Sequence, residues 1–316
     1  MQQSVERRTR FERERPPGLV ITDRDIAILE ATGRHRFVRS THLQALMPEE
    51  PPAKILRRLH KLYHNGYLDR PRAQIDYHQG GGGSKPMVYG LTSRGERLLA
   101  EETGKTSRRR DTNTTRLFLE HTLAVTDFMV ALEGACRERG ALWVIEPDEI
   151  LVHASERVQR QPNPFMWETR VRWGGEEHRI HVAPDKVFGI EHADGRRRYY
   201  FLEMDRGTMP VARSDLRRTS LLRKFLSYDA TFRDNLHRSL YGLPGFQVLT
   251  VTTSEERIGT SVQVLEELLH TRDAAKRFLF AAKPAQDAGG QRSLSAMPWL
   301  RAAGTRVRGC QHHKGS

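Results

Sequence analysis

The order of helix and strand signals over residues 19–104 is the feature that most restricts how this chain can fold. Three helical patterns come first, and the third runs from about residue 53 to residue 64. Two short apolar strands follow, at 67–68 and 87–89, and a polar loop with four consecutive glycines separates them. A Leu-Thr-Ser-Arg-Gly run then starts a fourth helix. Three helices, a strand, a flexible loop, a strand and a helix follow one another in the order of a winged helix-turn-helix.

The third helix has two unlike faces. Ile55, Leu59 and Leu62 share one face, which is expected to pack against the rest of the domain. Its opposite face is cationic and consists of Lys54, Arg57, Arg58 and Lys61. This pattern predicts a recognition helix for the major groove of duplex DNA, although a solvated amphipathic helix would show a similar pattern. Three more predicted DNA contacts flank the wing, namely Arg70, Arg72 and Lys85.

The charge of the chain is concentrated at its two ends. Residues 1–110 contain 22 Lys and Arg against 13 Asp and Glu, whereas residues 111–280 contain 24 against 25. Residues 281–316 contain 6 against 1. Because phosphate neutralisation supplies much of the affinity of proteins for nucleic acids, the ends are expected to contact double-stranded DNA. A basic surface that serves only solubility is the alternative.

Several protein classes do not fit the sequence. Cys136 and Cys310 are too few and too far apart to suggest a disulfide framework or a zinc site. No run of about 18 apolar residues is present, and the arginines near the start precede no apolar signal segment. We therefore expect a cytoplasmic protein without a membrane partner.

The pattern changes to strands alternating with helices after a polar linker and a long helix over about residues 115–139. The predicted fold class is α+β and α/β, with a winged helix-turn-helix followed by a restriction-endonuclease-like α/β domain. The predicted domains are a disordered basic arm (1–18), the winged helix (19–104), a linker (105–114), the α/β domain (115–282) and a flexible basic tail (283–316).

Three carboxylates in the second half are candidates for chemistry. Glu203 and Asp205 lie two residues apart near the end of a predicted strand, so they project from the same face. Asp185 follows Pro184 at the start of the neighbouring predicted strand. Such oxygen ligands suit Mg²⁺ or Mn²⁺, with Asp185 and Glu203 as the metal ligands, and no other cofactor is expected. Structural hydrogen bonds to arginines are the alternative role of these carboxylates.

This half of the chain is similar to the PD-(D/E)XK nuclease fold in its element order, its Pro-Asp pair and its Glu-x-Asp segment. The family pattern ends in a lysine where this chain has Asp205, and a lysine occurs instead on the next helix, at Lys224. The resemblance implies a candidate catalytic set of Asp185, Glu203, Asp205 and Lys224. Without a cation at the reacting centre, cleavage of a phosphodiester would lose a major electrostatic contribution.

Longer segments extend the resemblance to two further groups of proteins. The N-terminal module resembles winged-helix regulators of the MarR and PadR kind in Asn65-Gly66-Tyr67-Leu68 and in the run from Tyr89 to Gly95. Roughly residues 20–280 resemble the replication-relaxation family of plasmid and mobile-element proteins. The matching segments are Leu119-x-His121-x-Leu123-x-Val125-x-x-Phe128, Pro184-Asp185, Phe201-Leu202-Glu203-Met204-Asp205-Arg206-Gly207-Thr208, and Lys224 with Tyr228.

The family resemblance implies a role in plasmid replication and DNA relaxation, with plasmid replication or relaxosome proteins, and a second copy of the chain, as expected partners. A tyrosine relaxase would need a His-hydrophobe-His metal site, and His178-Arg179-Ile180-His181 has a different spacing. Three functions stay open: a DNA-binding accessory or initiator protein, a divalent-metal nuclease, and a transcriptional regulator whose second domain dimerises.

Overall fold

The computed structural model describes residues 10–14, 16–75, 86–104, 114–269, 274 and 276–282, and the backbone of 298–301 and 306–308. The fold is a mixture of helices and several β-sheets. Its contacts divide the chain into two compact units, residues 1–130 and 131–316. Within the described residues, no helix is both long enough and apolar enough to cross a bilayer.

Unit 1 contains four helices and a small antiparallel sheet. Its helices are α1 (Asp23–His35), α2 (Ser40–Leu46), α3 (Pro52–His64) and α4 (Ser93–Thr103). Its strands are β1 (Phe37–Arg39), β2 (Leu68–Asp69) and β3 (Val88–Leu91), in the order β1-β3-β2. The helices and the last two strands agree with the sequence patterns. Strand β1 was not predicted, because three residues give no alternation that can be recognised.

The start of α4 explains why the Leu-Thr-Ser-Arg-Gly run has threonine at position 92 and glycine at position 95. The Thr92 side chain caps α4 by accepting a hydrogen bond from the Gly95 amide at 3.2 Å. A Cβ atom at position 95 would lie 2.3 Å from the carbonyl oxygen of Tyr67. Since the Thr92 amide also donates to the Tyr67 carbonyl, this glycine lets the start of α4 approach the residues just before β2.

The segment before α1 lies against α3, although the sequence suggested a disordered arm up to residue 18. The side chain of Asn65 donates to the carbonyl of Pro17 at 2.9 Å. The guanidinium of Arg13 donates to the carbonyls of Tyr63 and Leu68, and its carbon lies 4.6 Å from the centre of the Tyr63 ring. These bonds satisfy carbonyls at the C-terminal end of α3 and in β2, which gives the described part of the arm a defined path.

Helix α5 (Arg116–Arg139) begins in unit 1 and continues into unit 2. Its first half packs on unit 1, where the hydroxyl of Thr126 donates to the Phe37 carbonyl at 3.0 Å. Asp127 accepts from Arg39 at 2.6 Å and lies 2.7 Å from a ring nitrogen of His42. The sequence placed the whole helix in the second domain, because its helical period says nothing about which partner each turn contacts.

Unit 2 is built on a mixed seven-stranded sheet in the order β12-β11-β10-β9-β8-β7-β4. Its strands are β4 (Leu142–Ile145), β5 (Trp167–Trp173), β6 (Glu176–Val182), β7 (Lys186–His192), β8 (Arg197–Met204), β9 (Gln247–Thr252), β10 (Phe278–Ala282), β11 (Pro298–Arg301) and β12 (Arg306–Arg308). Its helices are α6 (Pro147–Leu151), α7 (Glu156–Gln159), α8 (Leu221–Arg233), α9 (Leu236–Tyr241) and α10 (Glu255–Leu268). Strands β8, β9 and β10 are parallel, and β7 is antiparallel to β8.

The structure differs from the sequence patterns at several elements of unit 2. The predicted strand over 181–191 is two strands, β6 and β7, interrupted at Pro184, which has no amide hydrogen for a strand ladder. Strand β5 was missed, and it pairs with β6 as a separate hairpin. Strands β11 and β12 lie in the part of the chain that was predicted to be a flexible tail.

Two helices of unit 2 also begin at residues other than those that the sequence predicts. Helix α8 begins at Leu221 rather than near residue 214, because Asp215 forms a turn with the Arg217 amide and Ser220 supplies the cap. Helix α10 begins at Glu255, six residues before the predicted start, after the cap residue Ser254. The core of unit 2 lies between one face of the sheet and these helices, around Phe201, Phe225 and Phe280.

Candidate functional site

Helix α3 exposes one face to solvent and buries the other. Ile55, Leu59 and Leu62 have no exposed surface and belong to the core of unit 1. Lys54 and Arg57 are exposed, and their side chains make no ion pair or hydrogen bond with any residue that the structure describes. Two of the four predicted cations of this helix are therefore available to an external anion.

Arg58 and Lys61 bind within unit 1. The Nε atom of Arg58 donates to Asp25 at 2.6 Å, and the Asp25 side chain has no exposed surface. Arg58 also donates to the Val20 carbonyl at 2.9 Å. The Nζ atom of Lys61 donates to the carbonyl of Gly18 at 3.0 Å. The structure thus does not present the four cations together, because two of them connect α3 to the segment before α1 and to α1 itself.

The predicted wing residues have different environments. Arg70 lies 3.8 Å from the centre of the Tyr63 ring and donates to the carbonyl of Arg10 at 2.6 Å. Arg72 begins a short 3-10 helix and is exposed. Lys85 lies outside the described residues. Of the two described residues, Arg70 and Arg72, Arg72 is the one with its charge accessible at the surface.

Two exposed residues of α3 were not singled out from the sequence. Leu56 is 48% exposed, and His60 is exposed one turn further along the same helix. Together with Lys54 and Arg57, they form the outward face of α3. The 3.6-residue period of the helix could have identified this face, because positions 53, 56, 57 and 60 fall on one side.

Glu203 is the central carboxylate of unit 2, near the C-terminal end of β8. Its side chain is 4% exposed. Lys224 donates from Nζ to one carboxylate oxygen, and the Tyr228 hydroxyl donates to the other. Both partners come from α8, where a spacing of four residues places their side chains on the same helix face. The structure brings Lys224, which the sequence singled out, into contact with Glu203, and the same four-residue spacing could have drawn attention to Tyr228.

Asp185 is held next to the end of β8 by the backbone. Its amide donates to the Leu202 carbonyl at 2.9 Å, and its Oδ2 atom accepts from the Met204 amide at 2.7 Å. The residue directly precedes β7, which runs antiparallel to β8, so its carboxylate approaches the strand end that carries Glu203. Asp185, Glu203 and Lys224 are thus brought to one end of the sheet.

Asp205 is bound to different partners. Its carboxylate forms an ion pair with Arg257 of α10 and accepts from the hydroxyl of Thr252 at 2.7 Å and from the Gly207 amide at 3.1 Å. Arg257 also donates to the Met209 carbonyl. These contacts fix the loop after β8 against α10. The arginine that binds Asp205 comes from a distant helix, and no local pattern in the sequence points to it.

The titration behaviour of these groups follows from their burial and neighbours. Burial raises the pKa of Glu203 to about 7, although Lys224 acts in the opposite direction. Burial acts to lower the pKa of Lys224, but the charges of Glu203 and Asp185 outweigh it and raise that pKa. For Asp205, burial acts to raise the pKa, and the hydrogen bonds from Arg257 and Thr252 hold it below its usual value.

A divalent metal ion needs several ligand atoms close to one another. Within the described residues, one group of three His, Cys, Asp or Glu side chains has all its ligand atoms within 4.8 Å, and it consists of Glu14, His60 and His64. Asp185, Glu203 and Asp205 do not form such a group, so the expected convergence of three carboxylates is not present. Asp185 and Glu203 stay a predicted ligand pair for Mg²⁺ or Mn²⁺, ions that complete their coordination with water.

Comparison with known proteins identifies the family. A family model described as Replication-relaxation matches residues 29–244, which is more than half of the chain. This chain belongs to the replication-relaxation family. Membership indicates a role in the replication and relaxation of mobile elements. The match includes both the outward face of α3 and the cluster of Asp185, Glu203 and Lys224.

Other comparisons add little to this assignment. No curated protein matches the chain significantly. A solved structure described as the SdaI restriction endonuclease is 11% identical, and the alignment covers 76% of this chain and 86% of that one. Its TM-score of 0.17 is too low to support any argument about this replication-relaxation protein.

Proposed function

We propose that this replication-relaxation protein binds duplex DNA through unit 1, acting as a winged helix-turn-helix in the replication and relaxation of a plasmid or another mobile element. In this proposal α2 and α3 are the helix-turn-helix, α3 enters the major groove, and β2 and β3 with their connection form the wing. The observation that carries the proposal is the outward face of α3, where Lys54 and Arg57 are exposed and bind no side chain or carbonyl among the residues that the structure describes.

The arrangement of unit 1 supports this function. Three helices precede two antiparallel strands, and β1 completes the small sheet. A short turn that ends at Pro51 precedes helix α3. The helix itself begins at Pro52, and proline is suited to the first turn of a helix. Its buried face leaves the opposite face for DNA, in the way that recognition helices are presented.

The structure also suggests a division of roles among the predicted cations. Lys54, Arg57 and Arg72 are proposed as DNA contacts, and Lys85 stays a predicted contact of the wing. Arg58, Lys61 and Arg70 are proposed to act mainly by holding unit 1 together, because each of them already binds within it. Leu56 on the outward face offers an apolar side chain, which is suited to the methyl group of thymine.

The proposal is tested by selecting bound sequences from random duplexes and then measuring their affinity over a range of salt concentrations. We expect Arg57→Ala to cost about 1 to 3 kcal/mol if Arg57 contacts a base, and Lys54→Ala to lower the salt slope by about 1 if Lys54 contacts a phosphate. Arg160→Ala is the matched control, because Arg160 is an exposed arginine of unit 2. Unchanged binding in both α3 variants would contradict the proposal.

The same selection separates origin binding from promoter binding. Sequences from a replication or transfer origin would support the proposed role, whereas promoter sequences would support the alternative of a transcriptional regulator. Plasmid replication or relaxosome proteins, and a second copy of the chain, are the partners that the proposed role would require. We expect such proteins to be recovered on origin DNA together with the wild-type chain. They should not be recovered there with the Arg57→Ala variant.

A second candidate function is a divalent-metal nuclease, and one observation favours it. Lys224 reaches Glu203 from α8, so a cation is present beside the carboxylates even though the usual lysine position is occupied by Asp205. Asp185 and Glu203 would hold the ion, whose chemistry would be to activate water and to stabilise charge on phosphate. Lys224 would orient the attacking water and offset developing negative charge.

Incubation of supercoiled plasmid with the protein and Mg²⁺ or Mn²⁺ tests the nuclease function. We expect the wild-type chain to nick the plasmid. The Asp185→Asn and Lys224→Met variants should lose this activity, and the Arg160→Ala control should keep it. Nicking that persists in the Asp185→Asn variant would assign the cleavage to a contaminant. No nicking with either metal would reject this candidate and leave the DNA-binding proposal intact.

A further inference from the structure

Two histidines and a glutamate meet at the C-terminal end of α3. His60 and His64 are separated by one helical turn, and their ring centres lie 4.3 Å apart. The carboxylate of Glu14, from the segment before α1, lies with them so that the three ligand atoms are all within 4.8 Å of one another. No function described above uses this group.

The residue types and their spacing are those of a site for a first-row transition metal. Histidines at positions i and i+4 project from one helix face and can bind the same ion, and two imidazole nitrogens with one carboxylate oxygen suit Zn²⁺. We propose that Glu14, His60 and His64 form a metal site that binds Zn²⁺ or a similar divalent ion, with water in the remaining position. The site would attach the N-terminal segment to α3 through the metal.

The surrounding contacts hold the ligands near their positions before any ion binds. On one side of Glu14, Arg13 donates to carbonyls of Tyr63 and Leu68. On the other side, Asn65 binds the carbonyl of Pro17. His60 and His64 are both fixed in spacing by the helix. A site with its ligands already placed loses less conformational entropy on binding than one assembled from free chain.

The ring of His64 is buried and already touches the residue that supplies the carboxylate. Its Nδ1 atom accepts from the Glu14 amide at 2.9 Å, and the ion would replace this hydrogen bond. Coordination to a metal is a stronger interaction than one hydrogen bond between neutral groups, so this exchange favours the ion.

The nearby charges limit the affinity. The guanidinium groups of Arg13 and Arg70 both lie on the ring of Tyr63, which is adjacent in sequence to His64. Their positive charge opposes a dication, and the carboxylate of Glu14 offsets part of it. With three protein ligands and this repulsion, the site is expected to bind more weakly than a four-ligand structural zinc site.

The proposed consequence of metal binding rests on the proposed DNA function, whereas metal binding itself does not. His60 belongs to the same outward face of α3 as Arg57. An ion at this place would add positive charge close to the DNA-facing residues and would fix the segment that leads to the basic N-terminus. Zn²⁺ would then strengthen binding to duplex DNA.

The experiment is a titration of the full-length protein with Zn²⁺ by calorimetry and with Co²⁺ by visible absorption. Because Cys310, His312 and His313 could chelate the same ions, they are first replaced by Ser or Ala in the parent protein. We expect one ion per chain and the absorption bands of a four-coordinate Co²⁺ site. His60→Ala and Glu14→Gln, which alter exposed side chains, are each expected to weaken binding by at least about tenfold.

His181→Ala is the matched control, since His181 is an exposed histidine of unit 2 that lies 4.0 Å from a glutamate. Circular dichroism of each variant checks that the fold is kept. Equal affinity in the parent and in both ligand variants, or an equal loss in the His181→Ala control, would overturn the metal site. Zn²⁺ binding that leaves DNA affinity unchanged would overturn only its consequence, and absence of DNA binding would leave the metal result standing.

Discussion

At the scale of single residues, Glu203 shows how burial changes the chemistry of a carboxylate. A charged carboxylate in an apolar environment is unfavourable unless a cation and hydrogen-bond donors compensate for lost hydration. Lys224 and Tyr228 supply both, but burial is the larger effect on the pKa, which is raised to about 7. Glu203 is thus able to change its protonation state near neutral pH, as acid-base groups of functional sites do.

The raised pKa predicts a specific pH dependence of stability. The folded protein holds the Glu203 proton up to about pH 7, whereas the unfolded chain releases it near the ordinary glutamate pKa of 4.5. Stability from this group is therefore fully present below pH 4.5 and is lost as the pH rises towards 7. Relative to Glu203→Gln, the wild-type free energy of unfolding should fall by about 3 kcal/mol over this range.

Urea unfolding of both proteins at a series of pH values measures this difference. The Glu203→Gln variant keeps an oxygen and a donor in place but cannot titrate, so it serves as the reference for all other groups. A constant difference between the two proteins from pH 4.5 to 7 would show that burial does not raise this pKa.

At the scale of elements, α3 has both exposed and internally paired cations, and the sequence pattern does not distinguish between them. Arg57 and Arg58 are neighbours in the sequence, and the rotation of one residue step along a helix separates their directions by about 100°. Arg57 projects into solvent, whereas Arg58 binds the buried carboxylate of Asp25 in α1. The same residue type therefore has one proposed role in binding and another in stability.

The two arginines should respond differently to the same substitution. Arg58→Ala leaves Asp25 buried without its cation, which should lower the free energy of unfolding by about 3 to 5 kcal/mol. Arg57→Ala removes an exposed side chain and should change it by less than about 0.5 kcal/mol. Chemical denaturation of both variants makes the comparison. If Arg58→Ala is as stable as Arg57→Ala, the buried ion pair does not hold α3 to α1.

The hairpin of β5 and β6 shows the limit of patterns at this scale. Alternation along β5 is clear once the structure is known, because Trp167, Thr169 and Val171 are buried and the residues between them are exposed. The pairing of the two strands depends on contacts with α8, including the bond from the Trp167 ring to the Thr231 hydroxyl at 2.9 Å. Such contacts between distant segments are not encoded in any local window of sequence.

At the scale of the whole molecule, each unit has its own hydrophobic core. The core of unit 1 includes Leu29, Leu59 and Leu68, and the larger core of unit 2 includes Phe201 and Phe280. Because the apolar side chains of each unit pack among themselves, each core supplies its own stabilisation. The chain is thus expected to unfold in two transitions.

Scanning calorimetry of the full-length chain tests this expectation. Leu59→Ala and Phe201→Ala both empty fully buried positions, and each should cost about 2 to 5 kcal/mol. Each substitution should lower the midpoint of one transition and leave the other in place. A single transition that both variants shift equally would show that the two units unfold as one, with α5 as the continuous element between them.

The sequence by itself determined the features that depend on local periodicity. It predicted the amphipathic character of α3, the order of helices α1 to α4 with strands β2 and β3, the limits of β4 and β8 within about a residue, and Lys224 as a candidate cation near Glu203. Helical and strand periods follow from backbone geometry, so they can be read without knowledge of the neighbours. Segment resemblance identified the replication-relaxation family, which the family match confirms.

Only the tertiary structure decided which polar side chains bind to one another. It assigned Asp205 to Arg257, Arg58 to Asp25 and Glu14 to the histidines of α3, and each of these contacts joins segments that lie far apart in the chain. The physical reason is that the energy of a charge depends on its burial and on the nearest opposite charge. Both are set by how the helices and strands pack, and neither is a property of a residue and its neighbours in sequence.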